Sequence, residues 1–379
     1  MPLPSSFADF LGNTPVVENL RAAIAAGRLP HALVLAGSRG SGKYTLALLL
    51  TMALECELQP REAAADGTAR RELAGFCGRC RNCTRIAQAA ALDTLIDEAV
   101  AAREEMRETD RKDTRILIQT HPDVLIVPPD PPQLLLKLGQ IRTVIARAQY
   151  LPTEAPAKVF LLTSSAFMKE AANSLLKLLE EPPAYVHLLL LTENPGELLP
   201  TIRSRCAFAR LGALPPSEIT DLLATRRPEW SRTDRELIAR LSEGAAGRAL
   251  GFDLDVYTRA RADALTLLAG LEHSNDHSTL FRTTEAYRAG AEGQQKTAAL
   301  LRALSSLLED LLLLQSGAPQ RIRNIDRRAD LDRLAQTVSF AWIESALRAV
   351  DTAYSGMRRN LLRSLSLDAL ALELESAQG

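Results

Sequence analysis

The sequence predicts an α/β domain built on a parallel sheet with helices on both faces, followed by an all-helical remainder. Three observations carry that prediction. Stretches at His31–Ala36, Asp123–Val127, Lys158–Thr163 and Val186–Thr192 are apolar nearly throughout and alternate with helical patterns, as strands covered on both faces do. The first stretch runs into Gly37–Thr45, read Gly-Ser-Arg-Gly-Ser-Gly-Lys-Tyr-Thr, and a Leu-rich helix leaves it near Lys43. Strand, Gly-rich loop and helix in that order is the setting of a phosphate loop. From Pro215 onward no strand pattern remains.

In order along the chain, Thr14–Ala26 reads as a helix with Thr14 as its cap, Pro15 at the first helical position and Gly27 past its end. The strand, loop and helix Lys43–Leu54 come next, then a cysteine-rich region (about 56–83). An Ala-, Glu- and Arg-rich insertion succeeds it (about 86–118), read as a solvated helical hairpin. After strand Asp123–Val127 the Pro-rich turn Pro128–Pro132 leads to a helix at Leu138–Tyr150. Strand Lys158–Thr163, helix Glu170–Leu179 and strand Val186–Thr192 complete the α/β part. Helical patterns at Pro215–Ala224, Asp234–Leu241 and around Arg248 form a small bundle, with Gly251 as a hinge. Everything from Asp253 to Leu374 is helical, including Leu300–Leu314 and a closing Leu361–Leu374. The expected domains are therefore 1–210, 211–252 and 253–379.

Composition narrows the function classes. With 46% hydrophobic and 4% aromatic residues the 379-residue chain is a globular, Leu/Ala-rich protein, and a formal charge of −1 gives no global attraction to nucleic acid. No apolar run approaches a membrane span and Met-Pro-Leu-Pro-Ser-Ser is not a signal segment, so the cytoplasm is the expected compartment. In that reducing setting, clustered cysteines point to metal rather than disulfides.

Three constellations can carry chemistry. In the loop, Gly37, Gly40 and Gly42 let backbone N–H groups turn toward phosphates, and Lys43 reaches the outer ones. Tyr44 stands where a Ser or Thr should hold Mg²⁺, and Thr45 is turned about 100° further round the helix. The anion cradle survives, so nucleotide binding with poor Mg²⁺ support stays open. A working ATPase also keeps an acidic pair at the end of a later strand, and there this chain has Thr163, Ser164, Ser165 and Ala166. Hydroxyls replace neither the anionic ligand nor the base. Second, Cys77-x-x-Cys80-x-x-Cys83 places three thiolates around one knuckle, and Cys56 can supply the fourth ligand of a closed, structural Zn²⁺ site. Third, Arg205 lies in Ser204-Arg205-Cys206, beyond Leu199-Pro200-Thr201-Ile202-Arg203.

Taken in order, Gly37–Lys43, the cysteine knuckle, His121-Pro122-Asp123, Gln140-Ile141-Arg142, the run Asn173-Ser174-Leu175-Leu176-Lys177-Leu178-Leu179-Glu180-Glu181-Pro182-Pro183 and Ser204-Arg205-Cys206 make this chain resemble the bacterial clamp-loader family serving DNA polymerase III. The resemblance covers residues up to about 250. Beyond them, Met357-Arg358-Arg359-Asn360-Leu361 and the closing helix look like the family's C-terminal end. It implies an AAA+ P-loop module with an inserted zinc knuckle, a three-helix lid and an all-α collar that joins subunits in a five-membered ring. The implied partners are the other clamp-loader subunits, the sliding clamp and, through the complex, primed DNA. It also implies that Arg205 acts in trans on ATP held by a neighbouring subunit. Arg248, in Gly247-Arg248-Ala249-Leu250, resembles the lid's second sensor arginine, with either a nucleotide contact or a structural role. The chain departs from the family by its long insertion and by the wide spacing between Cys56 and Cys77.

Together these point to a subunit with little or no ATPase activity of its own. An active ATPase of the same family is the main alternative, and it should carry Lys-Thr or Lys-Ser in the loop and an acidic pair after Leu162. A zinc-dependent nucleic-acid module with Arg79, Arg81 and Arg85 as its face is a third reading, disfavoured by neutral charge and missing aromatics.

Overall fold

Residues 3–63, 72–270 and 290–358 are described by the computed structural model. The chain divides into two compact units, Met1–Leu214 with Ala245–Gly247 and Pro215–Gly244 with Arg248–Gly379.

The first unit is organised by a six-stranded sheet of order β4-β5-β6-β7-β1-β8, with β1 Ala32–Ala36, β4 Ile118–His121, β5 Val124–Val127, β6 Lys158–Leu162, β7 Val186–Thr192 and β8 Ala207–Arg210. All neighbours are parallel except β4, which runs antiparallel to β5 along one edge. Side chains alternate between two faces, as a period of two requires. Leu33, Leu35, Ile126, Leu161 and Leu189 pack toward helices α1 (Thr14–Ala25) and α2 (Lys43–Glu55), whereas Val34, Leu125, Phe160, Leu162 and Leu188 pack toward α6 (Leu138–Ala148) and α7 (Lys169–Glu180). With both faces covered, every residue of β1, β5, β6 and β7 is buried, which is why these strands read as unbroken apolar runs.

Three local expectations change. The cap of α1 is Asn13, not Thr14: Asn13 adopts the left-handed region (φ 53°), where Asn is tolerated, and its side chain accepts from Gly212 N–H at 2.7 Å. A short antiparallel hairpin, β2 Arg61–Ala63 and β3 Glu72–Ala74, lies between Cys56 and Cys77; strands of three residues show no pattern to read. Its tip, including Gly67, lies outside the described residues. Arg21 of α1 holds this hairpin, donating through Nε to Ala74 O at 2.8 Å and pairing with Glu62 at 2.6 Å.

The insertion follows α3 (Arg81–Gln88), which carries Cys83, and folds as α4 (Leu92–Glu104) and α5 (Glu108–Asp113); α5 is wholly exposed, while α4 is solvated on one face and half-buried on the other. Leu92, Leu95, Ile96, Ala99 and Val100 pack against the α2-side core. Beyond them Arg103 pairs at 2.5 Å with the fully buried Asp130, which Lys137 approaches at 3.5 Å. Removing Arg103 leaves the buried carboxylate to the more distant Lys137 alone, and a buried charge so poorly compensated is costly. Arg103→Ala is therefore expected to destabilise the first unit by about 3 kcal/mol, read as a lower denaturant midpoint; an unchanged midpoint would show the insertion to be held otherwise.

The second unit is helical throughout its described residues. Its core joins Leu237 and Leu241 of helix Arg232–Leu241 to Leu300, Leu304, Leu307 and Leu311 of helix Gly290–Gln315, and to Trp342 and Ile343 of helix Phe340–Arg358. The fully buried Asn324 organises the polar part: it accepts from Tyr257 Oη at 2.8 Å and donates through Nδ2 to Asp310 at 2.8 Å. The expected closing helix Leu361–Leu374, and the Met357–Leu361 motif beyond Arg358, lie outside the described residues.

Candidate functional site

The Gly-rich loop leaves the carboxyl end of β1, and Gly37 N–H donates to Thr192 O at the end of β7 at 3.1 Å. Open parallel sheets bind ligands at this end. Gly40 and Gly42 have φ of 81° and 90°, a conformation that suits glycine. A Cβ at position 37 would meet Ser41 Oγ at 2.7 Å, and one at 42 would meet the Phe10 ring at 3.1 Å. Gly247 N–H donates to Gly40 O at 2.8 Å, so that carbonyl is already capped. Lys43 closes the loop on itself through Gly37 O at 2.7 Å and Ser38 O at 2.8 Å. Burial lowers its ammonium pKa and the carboxylate of Glu193 opposes that shift. Glu193, just past β7, is a site residue that the motifs do not single out; its position one residue beyond a strand, at the loop's end of the sheet, is the signal that could have found it.

Tyr44 turns toward α3. Its hydroxyl donates to Ala89 O at 2.6 Å at the end of α3, and its ring packs in the α2-side core. Burial pushes its phenol pKa well above the ordinary value. Thr45 sits one residue further along α2. At the end of β6, Ser164 Oγ accepts from Ala166 N–H at 3.0 Å within the local turn, and Ser165 Oγ accepts from Thr192 Oγ1 at 2.9 Å at the end of β7.

The structure brings all four predicted cysteines together. The Sγ atoms of Cys56, Cys77, Cys80 and Cys83 lie within 4.8 Å of one another, and hairpin β2–β3 bridges the wide spacing that separates the first two. Backbone N–H groups point at the sulfurs, Cys77 N to Cys56 Sγ at 3.3 Å, Cys80 N to Cys77 Sγ at 3.2 Å and Cys83 N to Cys80 Sγ at 3.4 Å. Burial raises the Cys56 and Cys83 thiols; at Cys77 burial is outweighed by N–H donors from Arg79 and Cys80 and by neighbouring thiols, which bring it down to about 7. Four soft donors with N–H support fit a tetrahedral metal ion and leave no position for substrate.

The His-Pro-Asp motif straps this centre to the sheet. Asp123 N–H donates to His121 Nδ1 at 3.2 Å, His121 Nε2 meets Asn82 Oδ1 at 3.0 Å, and Asn82 Nδ2 donates to Glu55 O at 2.8 Å, beside Cys56. Burial keeps His121 below its usual pKa, as a neutral ring that accepts at Nδ1 and donates at Nε2. The Asp123 carboxylate accepts three backbone N–H groups, from Thr153, Glu154 and Ala155. Glu154 in turn pairs with Arg81 at 3.2 Å and Arg85 at 2.8 Å, which offsets part of their positive charge.

Arg205 lies between α8 (Pro200–Arg203) and β8, at the opposite end of the sheet from the loop. Leu33 is level with Ala207 in the parallel β1–β8 pair, so Arg205 starts level with His31, six residues before Gly37 along β1. At 3.3 Å per residue that is a separation of about 20 Å. Its guanidinium donates through Nη1 to Thr201 O at 2.8 Å and to Ser204 Oγ at 3.1 Å, and through Nε to Glu180 Oε1 at 2.9 Å. In the second unit Arg248 pairs with Glu243 at 2.5 Å, and Glu243 also meets Arg323 at 3.3 Å. The predicted residues thus form three separate places in the first unit, with Arg248 in the second.

A phosphate loop on a mixed, mostly parallel sheet with an inserted cysteine knuckle, succeeded by an all-helical region, defines a clamp-loader-like AAA+ protein. The chain belongs to the DNA polymerase III delta-subunit family, whose description "DNA polymerase III, delta subunit" matches residues 12–215 and whose C-terminal description matches residues 254–375. It is 29% identical to the DNA polymerase III subunit delta' of Escherichia coli K12, over 92% of this chain and 91% of that one. It is 27% identical to the subunit tau of Salmonella typhimurium LT2, over 96% of this chain and 54% of tau, so it spans about half of that relative's length. A solved DNA polymerase III gamma subunit-related protein of Thermotoga maritima aligns with a TM-score of 0.40 at 16% identity, covering 95% of this chain and 99% of that one. Among the described residues no helix is long and apolar enough to cross a membrane.

Proposed function

We propose that this chain is a delta-prime-type clamp-loader subunit, a scaffold that does not hydrolyse ATP itself and lends Arg205 to ATP bound by a neighbouring gamma/tau-type subunit. The observation that carries this reading is the roughly 20 Å between Arg205 and the chain's own loop, at opposite ends of one sheet. An arginine so placed serves a phosphate only on another molecule. Tyr44, turned to Ala89, and the hydroxyls Thr163, Ser164 and Ser165 where an acidic pair would stand support the absence of hydrolysis at home. Gly37, Gly40, Gly42, Lys43 and Thr45 then keep the shape of a nucleotide loop, with Lys43 satisfied by loop carbonyls.

In the same reading Cys56, Cys77, Cys80 and Cys83 hold a structural Zn²⁺, and Arg248 is structural through Glu243. Residues 1–210 form the AAA+ module, 211–252 the lid and 253–379 a collar that joins a five-subunit ring, which loads the sliding clamp on primed DNA in the bacterial cytoplasm. The likeness to delta' over nearly all of both chains supports this assignment over a gamma/tau-type ATPase.

The test is ATP turnover by the purified chain, expected at background. Tyr44→Thr is expected to leave it there, because no acidic pair stands after β6, and to lower stability by about 3 kcal/mol through lost packing and the lost bond to Ala89. Sustained, Mg²⁺-dependent turnover by the wild-type chain alone would overturn the scaffold reading.

A further inference from the structure

We infer that Glu180 is the positioning residue for Arg205. This deepens the trans-arginine reading and rests on it. Glu180 is the last residue of α7, in the Leu-Leu-Glu-Glu-Pro-Pro run, twenty-five positions before Arg205. The fold carries both to the same end of the sheet, because α7 runs into the turn before β7 and Arg205 immediately precedes β8. Glu180 Oε1 accepts from Arg205 Nε at 2.9 Å and forms an ion pair with Nη2 at 2.6 Å, along one edge of the guanidinium. Thr201 O and Ser204 Oγ take Nη1.

Of the five N–H donors of an arginine, these hydrogen bonds use three and leave the two on Nη2, which sits against Glu180 Oε1 as an ion pair. A long side chain that would otherwise sample many rotamers is therefore held in one orientation, with the N–H groups of Nη2 left to offer. Both side chains keep access to solvent, 33% for Arg205 and 49% for Glu180, so the pair lies at a surface that a neighbour can reach. The contact is made by Glu180 and not by Glu181, so the two glutamates of the run are not equivalent. A partly exposed ion pair adds little to folding. Its effect falls instead on the orientation of a group that must meet a phosphate in the transition state.

The experiment is a double-mutant cycle in the clamp loader reconstituted with its ATPase subunits, with every ATP site disabled except the one facing this subunit, measuring kcat and KM for ATP, with assembly monitored by gel filtration. Glu180→Ala is expected to lower kcat about three- to fivefold, the range of a partly exposed ion pair. KM and assembly should stay unchanged. Glu180→Gln, which keeps an acceptor oxygen, should fall between it and wild type. In the Arg205→Ala background, Glu180→Ala should have no further effect. Wild-type or raised kcat in Glu180→Ala, or losses that simply add in the double variant, would overturn the positioning role while leaving the trans-arginine reading standing. Wild-type kcat in Arg205→Ala would remove that reading itself.

Discussion

A clamp loader reconstituted with Arg205→Ala is expected to assemble normally and to lose turnover at the ATP site that faces this subunit, by about 10³-fold or more. The size reflects what a trans arginine does. Charge spreads over the phosphoryl oxygens as the terminal group transfers, and a guanidinium arriving from a neighbouring chain stabilises it where water is excluded. Normal assembly is expected because Arg205 bonds only within its own surroundings, to Glu180, Thr201 and Ser204, all at a partly exposed surface. Arg205→Lys is expected to recover little, since an ammonium lacks the planar fork that the site orients. Single-turnover hydrolysis with the other ATP sites disabled isolates the effect. A rate equal to wild type in that assay would sink the trans role.

The second large effect is expected on removing the metal. A preparation kept reduced should contain about one Zn²⁺ per chain. Stripping it, or Cys83→Ser, should unfold the segment from Cys56 to α3, with a free energy on the order of 10 kcal/mol at stake. The segment has little core of its own beyond Phe76, Cys83 and Ile86, so the thiol ligands supply the cross-links that a larger core would provide. The loss should spread, because Tyr44 is bonded to Ala89 and His121 reaches Asn82. The readouts are metal content, thiol reactivity and melting temperature. A reduced, folded protein without metal, with an unchanged melting temperature, would show the four thiols to be only neighbours. Metal uptake should weaken as pH falls, because buried thiols that favour their protons must release them to bind.

Much of this was legible before any fold was in hand, for identifiable reasons. Strands buried on both faces must be apolar throughout, so β1, β5, β6 and β7 announce themselves. The knuckle is legible because its thiolate spacing is local. What escaped was short or non-local. Hairpin β2–β3, strand β4 and strand β8 span three or four residues each, too few for a period to show. The docking of α4 depends on Arg103 meeting Asp130, twenty-seven residues away, and a charge-rich helix gives no sign of a buried partner. Tyr44 could be recognised as wrong for Mg²⁺ but not as a tie to Ala89.

The sequence by itself determined the class of domain, the loop with its altered hydroxyl, the missing acidic pair, and the cysteines and arginine worth watching, because each is a matter of residue type at close spacing. Only the tertiary structure decided that Cys56 reaches the knuckle, that Lys43 turns into its own loop, and that the Glu-Glu-Pro-Pro run and the Ser-Arg-Cys triplet form one constellation through Glu180 and Arg205. The physical reason lies in the parallel sheet. Its crossover helices carry residues distant in sequence to a common end, so α7 delivers Glu180 and α8 delivers Arg205 to the end opposite the loop.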